Sequence, residues 1–407
     1  MRTLHERCCG LDVHKKNVVA CVLTPEGQEM RTFGTMTYDL LQLGDWLTER
    51  GVTHVAMESS GVYWRPVYNL LEDSFTLLVV NARHMKAVPG RKTDVKDAEW
   101  IADLLRHGLL KASFIPNRWQ REIRELVRYR KTLVEERSRL VTRVQKVLES
   151  ANIKIGDVIT NVVGKSGRAM LTELAAGNED VAAMANLALG TAKAKRPQLQ
   201  HALAGSVGPH QRFMLQSQLR LIEQLEAEIE AITAQVEEGM RPFQAAVDLL
   251  DQIPGIGPRT AEQVLAETGI DMTRFPTSAH FASWARVCPG NNQSGGKRRQ
   301  AGTGSGNPYL RTALIEAALG AVKAGRRQPN FFSSRYHRLV VRRGPQRAAM
   351  AVAHSMLVAI YRMLHDGAHF QDLGPNHFDE RRKESLVRNS VRKLQELGYR
   401  VTLEDAA

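Results

Sequence analysis

Four carboxylates within the first hundred residues have the types and spacing for metal-assisted chemistry. Asp12 sits in GLDVHKK, inside an apolar run, where an acid is costly to bury without compensation. Glu58 ends a second apolar run in VAMESSGVYW, with Gly61 after it to turn the chain. Asp94 and Asp97 stand three apart in GRKTDVKDAEWIADLL, which puts both on one helical face in the first turn after Thr93, a suitable N-cap. Four converging carboxylates repel one another and raise their pKa values unless a cation joins them. A hard divalent ion with oxygen ligands meets that need, and Mg²⁺ is the expected one beside phosphates, where it would neutralise charge built up in phosphoryl transfer. Each acid also has a plain structural role open to it: Asp94 and Asp97 suit a helix N-terminus, and Glu58 can cap a turn. Asp12 is the hardest to explain that way. His14 falls on the same strand face as Asp12 and is either a ligand or a packed, hydrogen-bonded neighbour.

A second constellation lies near position 300, in CPGNNQSGGKRRQAGTGSGNPYLRTAL. Ser294 precedes two glycines and then Lys297, Arg298 and Arg299. A serine hydroxyl is a weak nucleophile unless its proton is removed or its developing charge is stabilised. On residues alone Ser294 reads as a phosphate-contacting hydroxyl or as a nucleophile, and Ser305 is its rival. Upstream, IPGIGPRTAEQVL has the pattern of a helix-hairpin-helix, with Gly255 and Gly257 permitting close backbone approach and Pro258 suiting the first turn of the next helix. Free amides there, helped by Arg259, can hold a phosphate; a tight corner between two helices is the structural alternative.

The 407 residues carry 56 Lys+Arg against 43 Asp+Glu, a net charge of +13, and the excess is clustered. Asn291–Arg347 holds twelve basic residues and one acid, Glu316, while Arg118–Lys146 holds ten against four. Clustered positive charge favours a polyanion, because each neutralised phosphate releases condensed counterions. No run approaches the ~20 uncharged apolar residues of a bilayer span, and MRTLHERCCG has no apolar signal region, so neither a membrane nor secretion is expected. Cys8, Cys9, Cys21 and Cys288 lack ligand spacing and read as reduced cytosolic thiols.

Residues 8–117 alternate short strands and helices, an α/β pattern with three early strands and a mixed sheet. Val127, Val134, Val141 and Leu148 recur every seven residues in a long helix over 119–150, and Leu215, Ile222, Ile229 and Val236 do so over 215–238. Such heptads fit a coiled coil, within the chain or between protomers, or an αα-hairpin on a globular core. Residues 160–208 read as a helical or partly mobile connector. The rest is all-α, with a charged amphipathic helix over 379–397.

GLDVHKK, MESSGVYW and VNARHMKAVPGRKTDVKDAEWIADLLRHGLL closely resemble the N-terminal domain of the DEDD transposases, the insertion-sequence family of bridge-RNA-guided recombinases that includes the pilin-gene invertases. The resemblance runs through residues 8–117 and resumes over 249–324. It implies a RuvC-like (RNase H-type) domain in which Asp12, Glu58, Asp94 and Asp97 are the metal-binding tetrad. It also implies that Ser294 is the nucleophile of a C-terminal transposase domain. The family's proline-arginine pair ahead of the serine appears here as Cys288-Pro289-Gly290, with no arginine between Pro289 and Ser294. The expected organisation is a RuvC-like domain over 1–117, a coiled-coil or helical linker over 118–240, a transposase domain with the helix-hairpin-helix and serine loop over 241–324, and a basic helical extension over 325–407. Expected partners are donor and target DNA, a structured noncoding guide RNA and further copies of the chain joined through the coiled coil, at the nucleoid in the cytoplasm. No RNA-recognition motif is visible. Two rivals stand beside this reading: an Mg²⁺-dependent nuclease or junction resolvase with no covalent serine step, and a nucleic-acid-binding scaffold.

Overall fold

The computed structural model describes residues 2–59, 61–81, 97–289, 293–294, 296–298, 302–304, 306–380 and 383–402. They belong to two compact units, Met1–Pro116 and Asn117–Ala407.

In the first unit β1 (Cys8–Val13), β2 (Asn17–Thr24) and β3 (Gly27–Gly34) form an antiparallel meander. α1 (Thr37–Glu49), β4 (His54–Glu58), α2 (Trp64–Leu71), β5 (Thr76–Val80) and α3 (Asp97–Arg106) follow. β4 and β5 run parallel to β1 and complete a mixed sheet of order β3-β2-β1-β4-β5, consistent with a RuvC-like domain. Strand alternation divides the core. Cys9, Leu11, Val55 and Met57 face α1 and α2, while Cys8, Cys21 and Ala56 face Ala98, Ile101 and Ala102 of α3. Gly10 lets α3 lie directly on β1, since a Cβ there would stand 2.2 Å from the Ala98 carbonyl oxygen and 2.4 Å from the Ala102 amide nitrogen. Burial pushes the Cys8 thiol up to about 11 and the Cys21 thiol to about 12. These cysteines are apolar filler, free of disulfides.

The second unit is helical among its described residues, apart from a two-stranded ribbon. α4 (Arg118–Ser150) and α9 (Pro209–Met240) pair antiparallel. Trp119 Nε1 donates to the Gly239 carbonyl at 2.9 Å near one end, and Gln211 Nε2 to Ser150 Oγ at 3.0 Å near the other. Leu133, Leu140, Val144 and Leu148 are buried, as are Leu215, Ile222, Ile229 and Val236, so this apolar seam closes within the chain. Val134 is 41% exposed, although Val127 and Leu148 of the same seven-residue column are buried. Between the two helices α5 (Ile155–Val158), α6 (Lys165–Ala176), α7 (Val181–Asn186), a 3₁₀ turn (Gly190–Lys195) and α8 (Arg196–Leu203) form a small head. Its core of Met170, Leu171 and Leu199 packs on Val144, Leu148 and Leu215.

Beyond α9 come α10 (Gln244–Asp251), α11 (Pro258–Thr268), α12 (Ser278–Trp284), the ribbon of β6 (Gln293–Ser294) and β7 (Lys297–Arg298), α13 (Pro308–Ala324), α14 (Phe331–Arg343), α15 (Pro345–Asp366), α16 (His377–Glu380) and α17 (Lys383–Glu396). One core takes Ile123 and Val236 from the long helices, Leu250, Leu265, Leu314, and Val352 and Ile360 of α15, so it runs across positions 240 and 324. Among the described residues α15 is long and apolar enough to cross a membrane by length and composition, yet Val352, Ala353, Met356, Leu357 and Ile360 are fully buried in this core.

Candidate active site

Leu11 lies beside Met57 in the parallel ladder of β1 and β4, so Asp12 and Glu58 are the next residues along two neighbouring strands. Both stand near carboxyl ends of parallel strands, the edge where open α/β sheets hold their ligands. Alternation aims both at the face that α3 covers, and α3 begins at Asp97. The Asp12 carboxyl is held above the usual carboxylate range. Burial is the main cause; the Asp97 and Glu58 charges add to it, and His14 opposes them. Three of the four acids are therefore electrostatic neighbours. Asp94 and Thr93 lie outside the described residues. His14 places Nε2 3.0 Å from Asp12 Oδ2, so it acts as the hydrogen-bonding partner of that acid. Carboxylate oxygens are the donors that a hard divalent ion takes, and a cation beside Asp12 would favour its ionised form. Among the described residues no three His, Cys, Asp or Glu side chains are close enough to hold one.

Around the serine, β6 and β7 pair Gln293 with Arg298 and Ser294 with Lys297 across a turn in which Gly296 takes φ +73°. Only the backbone of Ser294, Lys297 and Arg298 is described; Arg299 and Ser305 lie outside the described residues. The segment that follows is anchored by Asn307, which caps α13 by accepting from the Tyr309 and Leu310 amides at 3.0 and 3.2 Å and donates to Glu267. Glu267 is fully buried. It accepts two bonds from Arg128, at 2.7 and 2.8 Å, and lies 3.3 Å from Arg124. The Arg128 guanidinium also sits 4.3 Å over the Tyr309 ring. A carboxylate so placed is tolerable only with its charge matched and its lone pairs used. Nothing in the sequence marks Glu267, because the residues that compensate it are 40 to 143 positions away.

Gly255 (φ +89°) and Gly257 occupy the turn between α10 and α11. Gly255 is packed on α13, where a Cβ would stand 2.2 Å from the Ala317 carbonyl oxygen, whereas Gly257 faces open space as the N-cap of α11. Arg259 is exposed in the first turn of α11.

The two basic segments use their charge differently. In α4 Arg124 and Arg128 turn to Glu267, Arg130 meets buried Glu262 at 2.6 Å, and Arg137 shares Glu226 with Arg168 of the head. Much of that charge is spent inside the unit. From Ala317 to His365 there is no acid at all. There Lys323, Arg326, Arg327, Arg342, Arg343 and Arg347 are exposed and form no ion pair among the described residues.

A DEDD transposase model of IS110 type matches residues 9–153, and a second, described as a transposase of the IS116/IS110/IS902 family, matches 247–333. The class is thus that of the DNA transposases, enzymes that act on DNA. Within it, the family models and the relatives support a DEDD transposase of the IS110/IS116/IS902 type. It is similar to the transposase for insertion sequence element IS1111A of Coxiella burnetii, 23% identical over 290 residues and 70% of each chain. It is also similar to the uncharacterized 42 kDa protein of insertion element IS900 of Mycobacterium paratuberculosis, 26% identical over 72% of this chain and 79% of that protein. The uncharacterized 43.6 kDa protein of IS110 of Streptomyces coelicolor is 29% identical over 131 residues, and the match spans 31% of each.

Proposed function

We propose that this chain cuts and rejoins DNA as the transposase of an insertion sequence, with Ser294 as nucleophile and Asp12, Glu58, Asp94 and Asp97 as holders of Mg²⁺. The observation that carries the reading is the placement of Asp12 and Glu58 on neighbouring strands, on the sheet face that α3 covers from Asp97, with the Asp97 and Glu58 charges both working against ionisation of Asp12. In the reaction Ser294 Oγ bonds to phosphorus as the bond from phosphorus to the departing strand end breaks. The hydroxyl proton passes to solvent, the departing oxygen takes one up, and attack by a DNA hydroxyl reverses the step and frees the serine. Mg²⁺, when bound, neutralises charge on the phosphate oxygens. Lys297, Arg298 and Arg299 draw the backbone towards the serine, and Gly257 and Arg259, with Gly255 shaping the turn, grip it as a helix-hairpin-helix.

The division of labour follows the sequence: a RuvC-like domain over 1–117, a helical linker over 118–240, a transposase domain over 241–324 and a basic extension over 325–407. A structured noncoding RNA selects target DNA by pairing, and two or more copies of the chain assemble at the nucleoid before cutting. A suicide DNA substrate, incubated with Mg²⁺ and the element's RNA and run on a denaturing gel, tests this. A protein–DNA adduct lost in Ser294→Ala is expected. Free nicked DNA that vanishes in Asp12→Asn but survives Ser294→Ala would overturn the serine step, and binding without breakage would overturn catalysis.

A further inference from the structure

Arg286 follows α12 with φ +56°, a left-handed conformation that only Asn152 shares among the described residues other than glycine. An arginine is strained there and a glycine is not. The surroundings hold it in place: its amide donates to the Ser283 carbonyl at 3.2 Å, and its neighbours Ala285 and Val287 are buried. Its side chain lies across the glycine segment that follows the serine ribbon. A Cβ on Gly306 would stand 2.6 Å from Arg286 Cβ and 2.7 Å from Cγ, and one on Gly304 would stand 3.6 Å from Nη1. The residue is exposed, and its guanidinium has no carboxylate among the described residues. That sets it apart from Arg124, Arg128, Arg130 and Arg137 of the same unit, each of which meets a glutamate.

We propose that Arg286 is a phosphate-binding residue of the DNA site. Its planar fork takes two oxygens of one backbone phosphate at the edge of the glycine segment. The assignment rests on reading the serine loop as the DNA site. Strain of this kind persists where surrounding structure over-determines it, and such positions concentrate at functional sites. Gly306 then has a role of its own, since a Cβ there would run into the Arg286 side chain.

The test is binding of a fluorescent DNA duplex to the full chain in EDTA, across a series of salt concentrations. Arg286→Gly is expected to lower the slope of log affinity against log salt by about one phosphate contact, ~0.9 for B-form DNA, while Arg286→Lys keeps it. Arg286→Gly should melt no lower than the wild type, because glycine is relaxed at that φ, so weaker binding could not be ascribed to poorer folding. An unchanged slope in Arg286→Gly, or wild-type chain that does not bind the duplex, overturns the assignment. Binding in EDTA is read apart from strand cleavage. A fallen slope together with no serine adduct in the wild type would therefore sink the serine reading alone, and an intact adduct with an unchanged slope would sink this one alone.

Discussion

At Asp12, burial and the charges of Asp97 and Glu58 work against ionisation while His14 works for it, and the first group prevails. An acid whose carboxyl is raised in the folded state contributes most when protonated, below its ordinary value of 3.8, and that contribution is lost as pH rises through the folded value. In EDTA at neutral pH, Asp12→Asn should therefore melt a few degrees above wild type, and the gap should close at pH values below the ordinary carboxylate range. Added Mg²⁺ should raise the melting temperature of the wild type and leave Asp12→Asn in place; equal shifts in both would show that the ion binds elsewhere. Asp12 and Glu58 were legible in the sequence because an acid in or at the end of an apolar strand needs a reason. Arg286 and Glu267 were not. The significance of the first lies in a backbone angle, and that of the second in partners far along the chain.

Two close contacts determine how elements carry the site. Gly10 brings α3, and with it Asp97, against β1. Gly10→Ala should overpack this face at a cost of about 1–3 kcal/mol, seen as a lower urea midpoint together with weaker metal-dependent stabilisation. Glu267 ties α4 to the start of α13. Glu267→Ala removes the acceptor shared by half-buried Arg128 and Asn307 and should cost about 1–3 kcal/mol, measured by the same titration. Element identities were well marked by hydrophobic spacing: the helix over Trp64–Leu71 and both long helices stand where the periodicity puts them. Two features were hidden. The heptad column misplaced Val134, since periodicity alone does not say which neighbour a column faces. Residues 160–208 are rich in small side chains, which give a weak pattern until the head's helices are stacked.

Over the whole molecule, separate apolar cores in Met1–Pro116 and Asn117–Ala407 make a single two-state transition unexpected. Calorimetry should resolve at least two events, with Asp12→Asn moving one and Glu267→Ala another; one shared transition responding to both would refute the separation. Charge counting located the basic segments but not their use, because a sum cannot tell an arginine facing Glu262 from one facing water. The head on α4 and α9 has a further consequence. The Ser206 amide donates to the Ala151 carbonyl at 3.0 Å, and the Lys154 amide to the Ala202 carbonyl at 2.8 Å, so the chain departs from and returns to nearly the same point. A module with its ends stitched together in this way is a natural cassette. Residues 152–205 could be bridged by a short turn without lengthening the path between the two supporting helices, provided Val144, Leu148 and Leu215, which the head buries, were made polar as well.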